Sequence, residues 1–147
     1  MYHEGQFAGC RVKLPVQLGR RPEEPLDAGL EDFYGRLLRA RGVPAFHEGD
    51  WYFLNATGWP DNSTSENLLA WSWRADHHGA IIVVNYSGAS AQGLIRLPWT
   101  DLAGKTCQLV DALTSEVFVR DGDEMIGPGH FVDLGPWRTH FLTFEVP

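Results

Sequence analysis

No run of apolar residues in this chain approaches the ~18 needed for a membrane-spanning helix, so no span is expected. The N-terminus lacks a basic stretch followed by an apolar one, the pattern of a secretory leader, and a cytoplasmic location is expected. Cysteine is scarce. Cys10 and Cys107 are the only two and form no C-x-x-C pair, which argues against a zinc site and for two unpaired, buried thiols. Basic charge is scarce too. Twelve Lys and Arg against nineteen Asp and Glu leave a net charge of −7, which excludes the basic footprint of a general nucleic-acid binder. A twelve-residue calcium loop is missing: Asp121-Gly122-Asp123-Glu124 clusters carboxylates without the spaced ligands or terminal Glu, and reads as a type I′ turn. His77-His78, beside Gly79, have no further ligand at a suggestive spacing and read as hairpin-turn residues. No metal and no cofactor are expected.

Aromatic residues are abundant instead: six Trp, four Tyr and eight Phe in 147 residues, a length that suits one ordinary domain. Aromatics favour strands, and they also form stacking platforms for sugars. Residues 1–26 carry no hydrophobic period and are punctuated by Pro15, Gly19, Pro22 and Pro25, with a short extended piece expected at Arg11–Leu14. Over 27–41 the pattern changes. Leu30, Phe33, Tyr34, Leu37 and Leu38 recur on one helical face, Asp27 is placed to cap the N-terminus, and Gly42 ends the helix with Pro44 barring its restart.

From residue 43 the period switches to two. Strands are expected at 49–56, 67–75, 80–87, 91–97, 106–112, 116–120, 130–134 and 139–146, separated by turn signals such as His78-Gly79, Ser87-Gly88 and Asp121-Gly122. Eight short strands without intervening helices predict a mainly β fold, an antiparallel eight-stranded β-sandwich preceded by an irregular segment and one α-helix. The strand Ala80–Ser87 is apolar on both faces, Ile81 and Val83 on one and Ile82 and Val84 on the other. A sandwich strand normally shows a polar outer face, so this one needs a cover, either the 27–41 helix or another domain.

Several stretches together resemble a known family. "MYHEGQFAG" is similar to the segment after the eighth barrel strand of α-amylase family glycoside hydrolases, with Phe7 standing where the family has Glu. "RVKLPVQLGRRPEEP" and "FYGRLLRAR" resemble the last loop and helix of that barrel, and "WSWR", "IIVVNYS", "GLIRLPW" and "DGDEMIGPGHFVDLGPWRTHFL" resemble the small all-β domain that follows it. The resemblance implies two parts: residues 1–42 as the remnant of the last barrel loop and helix, and 43–147 as a C-terminal β-sandwich domain. It also implies that the catalytic carboxylates, carried by other barrel strands, lie outside this chain, so no catalytic residue is expected within it.

Candidate sugar contacts are Tyr2, His3 and Glu4 at the segment resembling a cleft rim, and Trp59, Asp61 and Asn62 in the polar loop "GWPDNSTSEN". A pyranose face can lie on an indole while Asp and Asn hydrogen-bond its hydroxyls. Trp51, Trp99 and Trp137 also flank turn residues and are platform candidates, Trp137 reading better as a packing anchor. Leu69, Trp71 and Trp73 share one strand face, and this apolar row reads as core. Three functions compete. The preferred one is an accessory domain packed on, and stabilising, the catalytic barrel of an α-amylase-like hydrolase. The second is a carbohydrate-binding module holding α-glucan on loop tryptophans. The third is an independent small enzyme using His3, Glu4 or the Asp121–Glu124 cluster. Expected partners are the barrel and α-glucan, with no nucleic acid and no membrane, the chain alone being a monomer or weak homodimer.

Overall fold

A computed structural model describes Tyr2, residues 5–12, Gln17, Gly19, Arg20 and residues 22–146. The chain forms two compact units, Met1–Arg39 and Ala40–Pro147. The expected extended piece at Arg11–Leu14 is only half visible: Arg11 and Val12 have no regular structure, and Lys13 and Leu14 lie outside the described residues.

In the first unit, helix α1 spans Ala28–Ala40. The Asp27 carboxylate accepts from the Leu30 N–H at 3.0 Å and so satisfies one free donor of the first turn. Upstream, Glu24 Oε1 accepts from the backbone N–H groups of Arg11 and Val12 (2.8 and 3.1 Å). Tyr2, Phe7 and Tyr34 cluster, with Phe7 4.8 Å from the Tyr34 ring and the Gln6 amide donating to the Tyr34 hydroxyl at 2.7 Å.

The second unit opens with a short helix, α2 (Ala45–Glu48). Pro44 therefore does not bar a helix. Its fixed φ, here −50°, suits the entry to a first turn, where no N–H is required of it. All eight expected strands form, and the first run also contributes a ninth. They are β1 (Asp50–Leu54), β2 (Ala56–Thr57), β3 (Leu68–Ala75), β4 (His78–Asn85), β5 (Ala91–Ile95), β6 (Thr106–Asp111), β7 (Val117–Asp121), β8 (His130–Leu134) and β9 (Thr139–Glu145). An antiparallel six-stranded sheet runs β1-β3-β4-β9-β6-β7 and faces a three-stranded sheet, β2-β5-β8. Between them Leu54, Leu68, Ala70, Ile81, Val83, Leu109 and Leu142 of the first sheet meet Ala91, Ile95, Val132 and Leu134 of the second.

The aromatic row of β3 is on the other side. Leu68, Ala70 and Ser72 point into the core and are buried, whereas Leu69, Trp71 and Trp73 lie on the outer face, Leu69 exposed and the two Trp half-buried. The reason is the close approach of the two sheets. A Cβ on Gly93 of β5 would stand 3.0 Å from Leu68 Cδ1 and 3.1 Å from Ser65 Cβ, so this gap admits small side chains and not indoles.

Two turn readings also change. The β3–β4 hairpin turns at Asp76-His77, with Ala75 opposite His78 and Asp76 at φ 47°, not at His78-Gly79. Gly79 is a strand residue, and an added Cβ would meet the Phe144 ring at 2.5 Å. Asp121-Gly122 is not a type I′ turn. Asp121 ends β7 and caps a helical turn, Gly122–Glu124, by accepting from the Asp123 N–H at 2.7 Å. Gly122 is needed because a Cβ there would lie 2.0 Å from the Leu102 carbonyl oxygen.

The outer face of the six-stranded sheet is apolar, as the doubly apolar β4 implies. Its middle is covered by α2, whose Phe46 packs 4.8 Å from the Trp73 ring and 5.2 Å from Phe141. Its flanks are open. On β1 Trp51 is 55% and Phe53 59% exposed, and on β7 Val119 is 62% exposed, with Val117 and Leu69 also exposed.

Candidate functional site

The polar loop after β2 folds back on itself. Trp59 and Asn62 exchange backbone hydrogen bonds at 3.0 and 3.3 Å, which lifts Pro60 and Asp61 to the tip. The Asn62 carboxamide oxygen accepts from the Thr64 N–H (3.0 Å) and hydroxyl (2.6 Å), an Asx turn that fixes the loop exit. Its amide donates to the Gln92 side chain at 3.2 Å, and Gln92 in turn donates to Asp133 at 3.0 Å. Gln92 and Asp133 are cross-strand partners on β5 and β8. Two residues along the same pairing, Leu94 faces Phe131, and Phe131 lies 6.2 Å from the Trp59 ring. The outer face of the three-stranded sheet thus carries two exposed aromatic rings beside a fixed chain of amide and carboxylate groups.

The structure therefore brings Trp59 and Asn62 together with Phe131, Gln92 and Asp133. Asp61 is exposed at the tip, with no partner among the described residues. Tyr2 belongs to the other unit, half-exposed in its cluster with Phe7 and Tyr34. His3 and Glu4 lie outside the described residues. Trp99 is no platform. It is 7% exposed, packed near Phe144 with the Arg74 guanidinium over its ring at 5.3 Å. Trp137 is no anchor. It is 64% exposed at φ 56°, edge-on to Tyr86.

Beside Phe131 a cleft of about 230 Å3 opens between β5, β7, β8 and the π-turn Met125–Gly129. Leu94, Arg120, Glu124 and Phe131 line it together with the buried Met125 and His130. His130 is 3% exposed, and its Nδ1 has no partner among the described residues. Burial first, then the positive charge of Arg120 and proximity to His140, depress its pKa from the usual 6.5 to about 4, so the imidazole is neutral at pH 7.

The carboxylates elsewhere hold the backbone. Asp121 accepts from the Asp123 N–H, and Asp123 accepts from the Gly104 N–H at 3.1 Å. The fully buried Asp111 accepts from the N–H groups of Leu113 and Thr114 and sits 3.0 Å from His140 Nδ1. Burial pushes the Asp111 carboxyl up, but the hydrogen bonds from His140 and from the two backbone N–H groups outweigh it and hold it below the ordinary carboxylate value. Among the described residues no three His, Cys, Asp or Glu come together as a metal site, and no helix is long and apolar enough to cross a membrane.

No protein-family profile matches the sequence, and no curated protein matches it. Solved structures do. The crystal structure of the maltogenic α-amylase AmyB from Thermotoga neapolitana superposes with a TM-score of 0.75 at 13% identity, over 99% of this chain and 33% of that one. An Anoxybacillus α-amylase matches with a TM-score of 0.60 at 12% identity, over 82% of this chain and 23% of the other. AmyP in complex with maltose matches with a TM-score of 0.54 at 22% identity, over 78% and 20%. The chain spans a third or less of each of these proteins and has the fold of that part of them, the fold that the sequence resemblance implies.

Proposed function

We propose that the chain is a non-catalytic C-terminal part of a glycoside hydrolase acting on α-glucosidic bonds. In this reading residues 1–42 complete the last loop and helix of the barrel, and residues 43–147 form a sandwich that covers and stabilises it. The observation that carries the proposal is the open outer face of the six-stranded sheet. Trp51 and Phe53, side by side at 6.5 Å, and Val117 and Val119 on the opposite edge stand in water. Burying such a side chain contributes roughly 1.5–3 kcal/mol, so a partner surface laid on this face gains several of these terms at once. The similarity to stretches that make up a third or less of α-amylase chains supplies the kind of partner. The use of Asp111, Asp121 and Asp123 as backbone acceptors agrees with a structural role for the acidic residues. Incubated with a chromogenic α-glucoside, the 147-residue protein is expected to release no chromophore above a buffer blank, and measurable turnover would overturn the non-catalytic reading.

A second role has its own observation. Trp59 and Phe131, flanked by the Asn62–Gln92–Asp133 chain, form a platform with the features of a sugar contact: apolar ring faces for the C–H side of a pyranose and fixed polar groups for its hydroxyls. An α-glucan is the matching ligand for an accessory part of an α-amylase-like enzyme, and AmyP, which shares the fold, has been crystallised with maltose.

A further inference from the structure

We propose that the cleft beside Phe131 is a chain-end site, holding the terminal glucose of an α-glucan whose next ring rests on Trp59. The inference builds on the sugar-binding reading of the Trp59 platform and adds to it a polarity and a stop. Phe131 belongs to both features: its ring pairs with Trp59 and also lines the cleft.

The size of the cleft selects a small ring. At about 230 Å3 it is smaller than the ~300–1,000 Å3 pockets that take drug-sized molecules. Its lining suits an uncharged polyol. Leu94, Pro128 and Phe131 offer apolar surface for a C–H face. Arg120 offers donors: one of its N–H groups goes to the Val119 carbonyl at 2.9 Å, and its guanidinium is set over the Phe118 ring at 5.3 Å, which fixes its plane. Glu124 offers an acceptor pair with no partner among the described residues. Vicinal hydroxyls both donate and accept, so they can use an arginine and a carboxylate together. The two side-chain charges cancel, which disfavours a phosphate or an amine in the same space.

The wall makes the site terminal. The π-turn Met125–Gly129 is tied to the end of β5 by the Leu97 N–H to the Met125 carbonyl (3.0 Å) and by Arg96 Nε to the Ile126 carbonyl (2.8 Å). At Gly129, with φ 117°, an added Cβ would stand 3.0 Å from the backbone of Ile95 and Arg96, so the turn is seated directly on the strand. A glucan enters over Phe131 and stops at this wall.

The test is calorimetric titration of the 147-residue protein with maltotriose, which has chain ends, and with β-cyclodextrin, which has none. Trp59→Ala and Glu124→Gln variants are titrated in parallel, and a thermal melt of each checks its fold. Maltotriose is expected to bind at least tenfold more tightly than β-cyclodextrin, and Glu124→Gln to weaken maltotriose at least fivefold with an unchanged melt. Equal binding of the two sugars, lost in Trp59→Ala and untouched by Glu124→Gln, would overturn the chain-end site and leave the platform standing. Binding of neither sugar at millimolar concentration would overturn both.

Discussion

Asn85→Ala is expected to lower the unfolding free energy by about 3–5 kcal/mol, read as a fall in the urea midpoint at unchanged slope. Asn85 ends β4 with its side chain fully buried. Its amide nitrogen lies 2.7, 2.9 and 3.1 Å from the carbonyl oxygens of Ala89, Gly135 and Leu134, and its oxygen accepts from the Ser87 hydroxyl at 2.8 Å. One side chain thus ties the loop after β4 to the loop after β8. Alanine leaves the buried Leu134 carbonyl and the part-buried Gly135 carbonyl without this donor, at about 1–3 kcal/mol for each unsatisfied group, while the Ala89 carbonyl keeps the Ser87 hydroxyl at 2.9 Å. Asn85→Asp should be no better than alanine, because it sets a carboxylate against three carbonyl oxygens. A loss under 1 kcal/mol for either variant would mean that the two loops are held by something else. Asn85 also begins an Asn-Tyr-Ser triplet, but its burial makes a glycan at that position incompatible with this fold.

Acid should destabilise the protein well above the carboxylate range. The unfolded chain protonates His130 near pH 6.5, whereas the folded state resists until about pH 4. Below pH 6.5 the unfolded state therefore binds the extra proton, and stability falls with pH until the folded pKa is reached. The loss across this window is about 3 kcal/mol. His130→Leu should flatten the profile between pH 6.5 and 4. Asp111 acts in a lower window: its depressed carboxyl contributes stability that is present above the unfolded value near 4 and lost as pH falls through the folded pKa. Asp111→Asn should remove that lower slope and leave the upper one. A profile of the unmodified protein that is level from pH 7 to 4.5 would contradict the assignment of His130 as a buried neutral imidazole.

The strands were legible because alternation survives wherever one face meets the core. In β6 Cys107, Leu109 and Asp111 are buried between exposed Thr106, Gln108 and Val110, and β8 repeats the pattern. Face assignment failed at Leu69, Trp71 and Trp73 because side-chain apolarity does not report the distance between sheets. Gly93 was the signal for a narrow gap, and it could be interpreted only once β5 was known to lie across from β3. Glycines misled in the same way at 79 and 122, where the requirement is room for a ring or a carbonyl and not a turn conformation. The candidate site was half legible. Trp59, Asp61 and Asn62 share one polar loop, while Gln92, Phe131 and Asp133 sit at ordinary outward strand positions 30 to 74 residues farther along, joined to the loop only by the β5–β8 pairing. His130 gave no sign in the sequence, since a histidine beginning a strand looks the same buried or exposed.

The covering role requires the outer face of the six-stranded sheet to be an interface. Thermal unfolding of a Trp51→Ser/Phe53→Ser double variant tests this most directly when it is measured in two settings: the 147-residue chain, and a longer protein in which the chain follows a catalytic barrel. Both side chains are exposed in the chain by itself, so the variant should shift its stability by no more than about 0.5 kcal/mol. In the longer protein the same two substitutions should cost about 3 kcal/mol or more, the burial of two aromatic side chains. An equally small effect in both settings would contradict the covering role and leave this face without its proposed partner.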